Sequence, residues 1–115
     1  MKLPNHEKAI VRREKIVNYL LSRIHKDGRS KAEFFESFGF TSKQWEIFSK
    51  ALKRHAGEHE VVKSETSPFG MRYIIDGGLD TPDGRRPEVR AVWFIEQGLK
   101  EPYLATAYPA KGKRK

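Results

Sequence analysis

Cysteine is absent from this 115-residue chain, which excludes disulfides, iron–sulfur clusters, thiolate catalysis and cysteine-based zinc sites. No apolar run approaches the ~18 residues needed to cross a bilayer. The first residues lack the apolar core of a signal peptide, so a cytoplasmic protein without membrane association is expected. Outside the last five residues there is no repeat or low-complexity block. A P-loop, a GxGxxG turn and a Ser/His/Asp arrangement are also missing, leaving NTPase, dinucleotide-binding and serine-hydrolase readings unsupported. His55 and His59 stand four apart, as a helical metal pair would, but no third ligand accompanies them. No metal and no other cofactor is expected.

What is present reads as one globular domain. The composition is 37% hydrophobic and 33% charged, with two Trp, four Tyr and seven Phe, enough to build a core without staples. The domain is expected over residues 1–110, with 111–115 (Lys-Gly-Lys-Arg-Lys) a disordered basic tail. Net charge is +8 and the pI is near 9.8. Subtracting the four tail cations from +8 leaves a body at +4. Such a chain is attracted to phosphate polymers, with RNA the first partner to consider.

Hydrophobic periodicity changes midway along the chain. Ile16, Val17, Leu20, Leu21 and Ile24 mark one stripe of a helix over Arg12–Ile24. A second helix, Lys31–Phe38, ends at Gly39, where Phe40 can reach back to Phe35 as in a Schellman end. A third starts at Thr41 with a Thr41/Gln44 capping box, Phe40 able to staple onto Trp45, and a stripe of Trp45, Phe48, Leu52 and His55. From residue 60 the period is two. Strands are expected at Glu60–Thr66, Met71–Leu79, Pro87–Glu96 and Tyr103–Tyr108, with Pro82-Asp83-Gly84 as a hairpin turn and Arg85-Arg86 as solvated turn charges. The expected fold is α+β: three N-terminal helices followed by a four-stranded antiparallel β-meander.

The chemistry concentrates between the first two helices, where His25, Lys26, Gly28, Arg29 and Lys31 surround a helix start. Ser30 and Glu33 match a capping box, with Ser30 as N-cap and Lys31 the first helical residue. A helix N-terminus ringed by cations attracts anions, and histidine, present at position 25, is the side-chain type suited to proton transfer near neutral pH. Arg29, Ser30 and Lys31 are accordingly candidate phosphate ligands.

Two blocks carry a resemblance. One is Tyr19-Leu20-Leu21-Ser22, His25, Gly28-Arg29-Ser30-Lys31-Ala32, Phe34-Phe35 and Phe38-Gly39-Phe40. The other is the pair Val89-Arg90-Ala91-Val92-Trp93 and Leu104-Ala105-Thr106-Ala107-Tyr108-Pro109. Together they resemble a family of small prokaryotic domains of unknown function, found alone or beside a small antitoxin-like protein. More distantly, the layout resembles the barnase–EndoU–colicin–RelE superfamily of metal-independent ribonuclease toxins.

That resemblance implies RNA cleavage by attack of a ribose 2′-OH on the adjacent phosphate. His25 is the implied acid or base, Lys31 and Arg90 the phosphate clamps, and Thr106 and Tyr108 the ligands from the fourth strand. Trp93 is implied in base stacking and Arg29 in charge. Arg90, Thr106 and Tyr108 share a face if the last two strands pair in register. Ala91 departs from the pattern, which places a hydroxyl residue there. A small acidic antitoxin-like protein is the implied partner. Plainer roles stand beside these. His25 can cap the preceding helix, Trp93 suits a core, Thr106 suits a strand, Tyr108 can seat the chain end, and Arg90 can pair with Glu88 or Glu96. A non-catalytic RNA-binding or protein-interaction module is the alternative function.

Overall fold

The computed structural model describes residues 1–22, 24 and 29–110. After an arm with a 3₁₀ turn at His6–Lys8, α1 spans Arg13–Lys15 and continues as π-helical turns over Ile16–Leu20. α2 is Arg29–Glu36 and α3 is Trp45–Glu58. Four strands follow: β1 Val61–Ser67, β2 Gly70–Gly78, β3 Glu88–Glu96 and β4 Tyr103–Pro109. They form one antiparallel sheet in the order β1-β2-β3-β4. The expected α+β layout of three helices and a four-stranded meander is the observed one. The basic tail at 111–115 lies outside the described residues.

The first helix departs from expectation. Helical structure ends at Leu20 rather than Ile24, and Ile24 is 95% exposed. The cause is the wide turn, in which the Leu21 N–H donates to the Ile16 carbonyl five residues back at 2.8 Å. A π turn advances the side-chain phase more slowly than an α turn. Ile16, Leu20 and Leu21 therefore all point inward, while Tyr19 is carried toward β4.

The end of α2 follows the sequence closely. Phe40 N–H donates to the Phe35 carbonyl and Gly39 N–H to the Glu36 carbonyl, the two bonds of a Schellman end. Gly39 has φ +106°, and a Cβ there would stand 2.9 Å from the Pro82 side chain, so glycine is required on both counts. Trp45, expected as the fourth residue of the third helix, is its first. Phe40 stacks on Phe48 at 4.3 Å, and the Phe35 ring lies 4.7 Å from Phe48 and 6.4 Å from Phe40. Half of the Thr41 capping box forms, the Gln44 N–H donating to Thr41 Oγ1, but regular helix begins only at Trp45.

The helices cover one face of the sheet. Val89, Ala91 and Trp93 of β3, Ile75 of β2, and Leu104 and Ala107 of β4 join Phe35, Phe48, Leu52, Ile16 and Leu20 in the core. Two histidines fasten α3 to the sheet. His55 Nε2 lies 3.1 Å from the Gly77 carbonyl and 3.0 Å from that of Val89, and His59 Nε2 lies 2.9 Å from that of Gly78. A Cβ at Gly77 would collide with the His59 ring. Burial above all, and then the neighbouring His59, lower the pKa of His55. These histidines bond backbone carbonyls, and no group of three metal-binding side chains occurs among the described residues.

The loop between β2 and β3 is held by charge. Arg86 pairs with Asp80 and Glu58, and Arg85 pairs with Asp83, donates to the Ser37 carbonyl and lies over the Phe38 ring. These arginines are thus exposed but engaged with the turn after α2, with α3 and with the loop itself, rather than simply solvated. Among the described residues, no helix is long and apolar enough to cross a membrane.

Candidate functional site

The sheet face away from the helices carries the even-numbered residues of β2 and β3. Register places Asp76, Arg90 and Tyr108 in one row across β2, β3 and β4, and Ile74, Val92 and Thr106 in the next. A bulge at Ala105 follows: Val92 pairs with Thr106, but Trp93 already pairs with Leu104. Beyond it Phe94 pairs with Tyr103. Ile74 and Val92 are buried yet lie outside the core cluster, which separates this open face from the helix-covered one.

Arg90 is fixed by a two-pronged bond to Asp76, with Nε to Oδ1 and Nη2 to Oδ2 both at 2.8 Å. Such a pair sets the plane of the guanidinium as well as its position. Asp76 raises the Arg90 pKa further above its already high value, and the adjacent Tyr108 side chain acts in the same direction. The partner is therefore Asp76, not the flanking Glu88 or Glu96. Strand alternation explains this, because Asp76 is the residue directly opposite on β2.

Two further elements reach the same face around the β4 edge. The π-helical turns bring Tyr19, whose hydroxyl lies 3.1 Å from Thr106 Oγ1. The first turn of α2 brings Lys31, whose Nζ sits 5.5 Å from the Tyr19 ring and 5.9 Å from the Tyr108 ring. A cation placed near ring faces is attracted by their quadrupoles. Ser30, Lys31, Tyr108 and Pro109 line a cleft of about 480 Å³ at this corner. Two cationic groups and three hydroxyls, those of Tyr19, Thr106 and Tyr108, thus gather at one end of an open face. That donor set suits an anion with several oxygens.

Of the candidates read from sequence, Lys31, Arg90, Thr106 and Tyr108 come together. Ser30 lines the adjoining cleft. It is not the N-cap: the helix already includes Arg29, a better helix former than serine, so Ser30 and Lys31 lie inside its first turn. Arg29 is exposed at that helix start. His25 lies outside the described residues. Trp93 is fully buried on the helix-covered face, because it alternates with Arg90 and Val92 along β3. Its ring is core and is not offered for base stacking. Ala91 is buried between Ile75 and Ala107 on that same face, so its missing hydroxyl removes nothing from the open side.

Tyr19 and Asp76 are site neighbours that sequence reasoning assigned no role. Tyr19 stood inside the quoted motif, but its direction depended on the π turn. Asp76 becomes visible only once strand register is known.

The fold has a solved counterpart. A chain in the contact-dependent growth inhibition toxin–immunity protein complex from Klebsiella pneumoniae 342 superposes with a TM-score of 0.70 at 13% identity. The match covers 88% of this chain and 99% of that one, and likeness at this identity establishes a shared fold. Comparison with curated protein sequences finds no match. Residues 2–111 match the model of the domain of unknown function DUF6883, and the chain belongs to that family.

Proposed function

We propose that this domain is a toxin-type, metal-independent endoribonuclease held in check by a small acidic partner protein. The observation that carries the reading is the convergence of Lys31, Arg90, Thr106 and Tyr108 on one open sheet face, from segments up to 77 residues apart in a chain of net charge +8. The fold shared with a chain of a toxin–immunity complex adds support, as does the excess of positive charge, which an acidic partner would complement by electrostatic steering.

In the proposed reaction a base removes the proton of a ribose 2′-OH. The freed oxygen attacks the adjacent phosphorus, the bond to the 5′-oxygen breaks, and an acid protonates that leaving oxygen. The products are a 2′,3′-cyclic phosphate and a free 5′-hydroxyl. Lys31 and the Asp76-oriented Arg90 hold the charge that builds on the phosphoryl oxygens. Tyr108 and Thr106 donate hydrogen bonds to the same group, and His25 is the candidate acid or base. RNA binding without cleavage is the second reading. The Asp76–Arg90 pair favours it, since it already occupies two of the guanidinium donors.

The test is incubation of purified protein with RNA in the presence of a chelator, comparing wild type with Arg90→Ala, Tyr108→Phe and His25→Ala. Cleavage leaving cyclic phosphate ends is expected from wild type, with DNA uncut for want of the 2′-OH. Arg90→Ala should lower the rate about 10²-fold, as removal of one charge-stabilising donor does. RNA that shifts on a gel yet stays intact with wild type would favour the binding module.

A further inference from the structure

Beyond the Arg90 corner, the open face continues into a cleft of about 720 Å³, bordered by Phe69, Arg72, Phe94, Gln97 and Tyr103. We propose that this cleft is a base-stacking subsite for single-stranded RNA whose backbone crosses Arg90 and Lys31. The proposal rests on the RNA-directed reading above and extends it from the phosphate to the neighbouring bases.

Three observations carry it. First, the rings here are offered outward. Phe69 is 77% exposed at the tip of the β1–β2 turn, and Phe94 and Tyr103 are half-buried with centroids 5.8 Å apart. None of the three belongs to the core cluster. Second, the Phe69 backbone is anchored. Its N–H donates to Ser67 Oγ, and its carbonyl accepts from the Gln97 N–H at 2.9 Å. The exposed ring therefore stands on a fixed turn.

Third, cations accompany the rings along the whole route. The Arg12 guanidinium lies 5.3 Å from the Tyr103 ring centroid, Lys15 Nζ 5.1 Å from that of Tyr19, and Lys31 5.5 Å and 5.9 Å from those of Tyr19 and Tyr108. A second cleft of about 540 Å³, touched by Arg12, Lys15, Tyr19 and Tyr103, joins the two ends.

Alternating rings and cations suit a polymer that alternates flat bases with anionic linkages. A purely apolar peptide would leave the cations unused, and a duplex would keep its base faces stacked away from the rings. Along β3, Phe94 lies four residues from Arg90, about 13 Å at strand spacing, so one short strand can engage both. Glu14 and Glu96 also border the route and oppose a close backbone approach there. Arg72 is shared with Glu65 at 3.8 Å.

The experiment is fluorescence anisotropy with a short 2′-O-methyl RNA, which cannot be cleaved, and a matched strand with abasic positions. Phe69→Ala and Tyr103→Leu should each weaken binding of the full strand about tenfold and leave the abasic strand unaffected. Phe69→Ala changes an exposed ring, so its thermal melt should match wild type. Equal affinity of variants and wild type, or equal losses on both strands, overturns the subsite. Ring-dependent binding with RNA left intact by wild type supports the subsite and removes the ribonuclease. Cleavage without ring dependence does the reverse. Failure of wild type to bind any single strand overturns both.

Discussion

The two faces of β3 are made by alternate residues of one nine-residue strand, and they obey different physics. On one side Val89, Ala91 and Trp93 are fully buried against helices. On the other, Arg90, Val92 and Phe94 look across an open sheet toward Asp76, Thr106 and Tyr103. The helix-covered side has solved a packing problem, with His55 and His59 bonded to strand carbonyls as polar anchors. The open side keeps charge in place by pairing, with Arg90 bonded to Asp76, and sets Lys31 beside two rings. Stability should therefore be lost from one face and function from the other.

The largest separation between the faces should come from Trp93→Ala. Removing a fully buried indole is expected to cost ~3–5 kcal/mol, read as a lower denaturant midpoint for the whole domain. A variant that melts like wild type but loses RNA binding would put Trp93 on the functional side after all. Asp76→Ala should do the opposite. The guanidinium, a third exposed, keeps its charge but loses its orientation, so the proposed RNA cleavage should fall by roughly tenfold to a hundredfold, with a melt that shifts much less than for Trp93→Ala. An unchanged rate would show that the orientation of Arg90 does not matter.

The smallest effect concerns pH and the helix-covered face alone. His55 has a folded pKa below its ordinary 6.5. As pH falls from that value, the unfolded chain takes up a proton that the folded one refuses. Stability is thus intact above about 6.5 and declines below it, by at most about 1.4 kcal/mol per pH unit for one proton. His55→Gln should flatten that decline in a series of melts between neutral and mildly acidic pH. A slope equal to wild type would assign the acid sensitivity to other groups.

Much of the architecture was legible because short-range chemistry decides it. The switch from helical to alternate spacing near residue 60 marks the sheet, and Gly39 with Phe40 marks the Schellman end. The shared face of Arg90, Thr106 and Tyr108 could be stated only as a condition on register, which the sequence leaves open. Asp76 was out of reach for the same reason: fourteen residues separate it from Arg90 along the chain, and only the β2–β3 pairing brings them opposite. The stacking role of Trp93 came from the resemblance alone; strand alternation sets it on the face opposite Arg90, and its full burial bears out the plainer core reading. The π turn escaped as well. Its hydrophobic spacing is nearly that of an α-helix, and the difference decides where Tyr19 goes.

The bulge at Ala105 has a consequence for how the open face can change. Tyr103 and Tyr108 are five residues apart, an odd interval, so an unbroken strand would send them to opposite sides. The extra residue inverts the parity once, letting two aromatic hydroxyls from one strand look the same way. The makeup of that surface is therefore governed by the length of β4 as much as by its side chains. Deleting a single alanine would leave every ring and charge in the sequence while exchanging which of them face the sheet's open side.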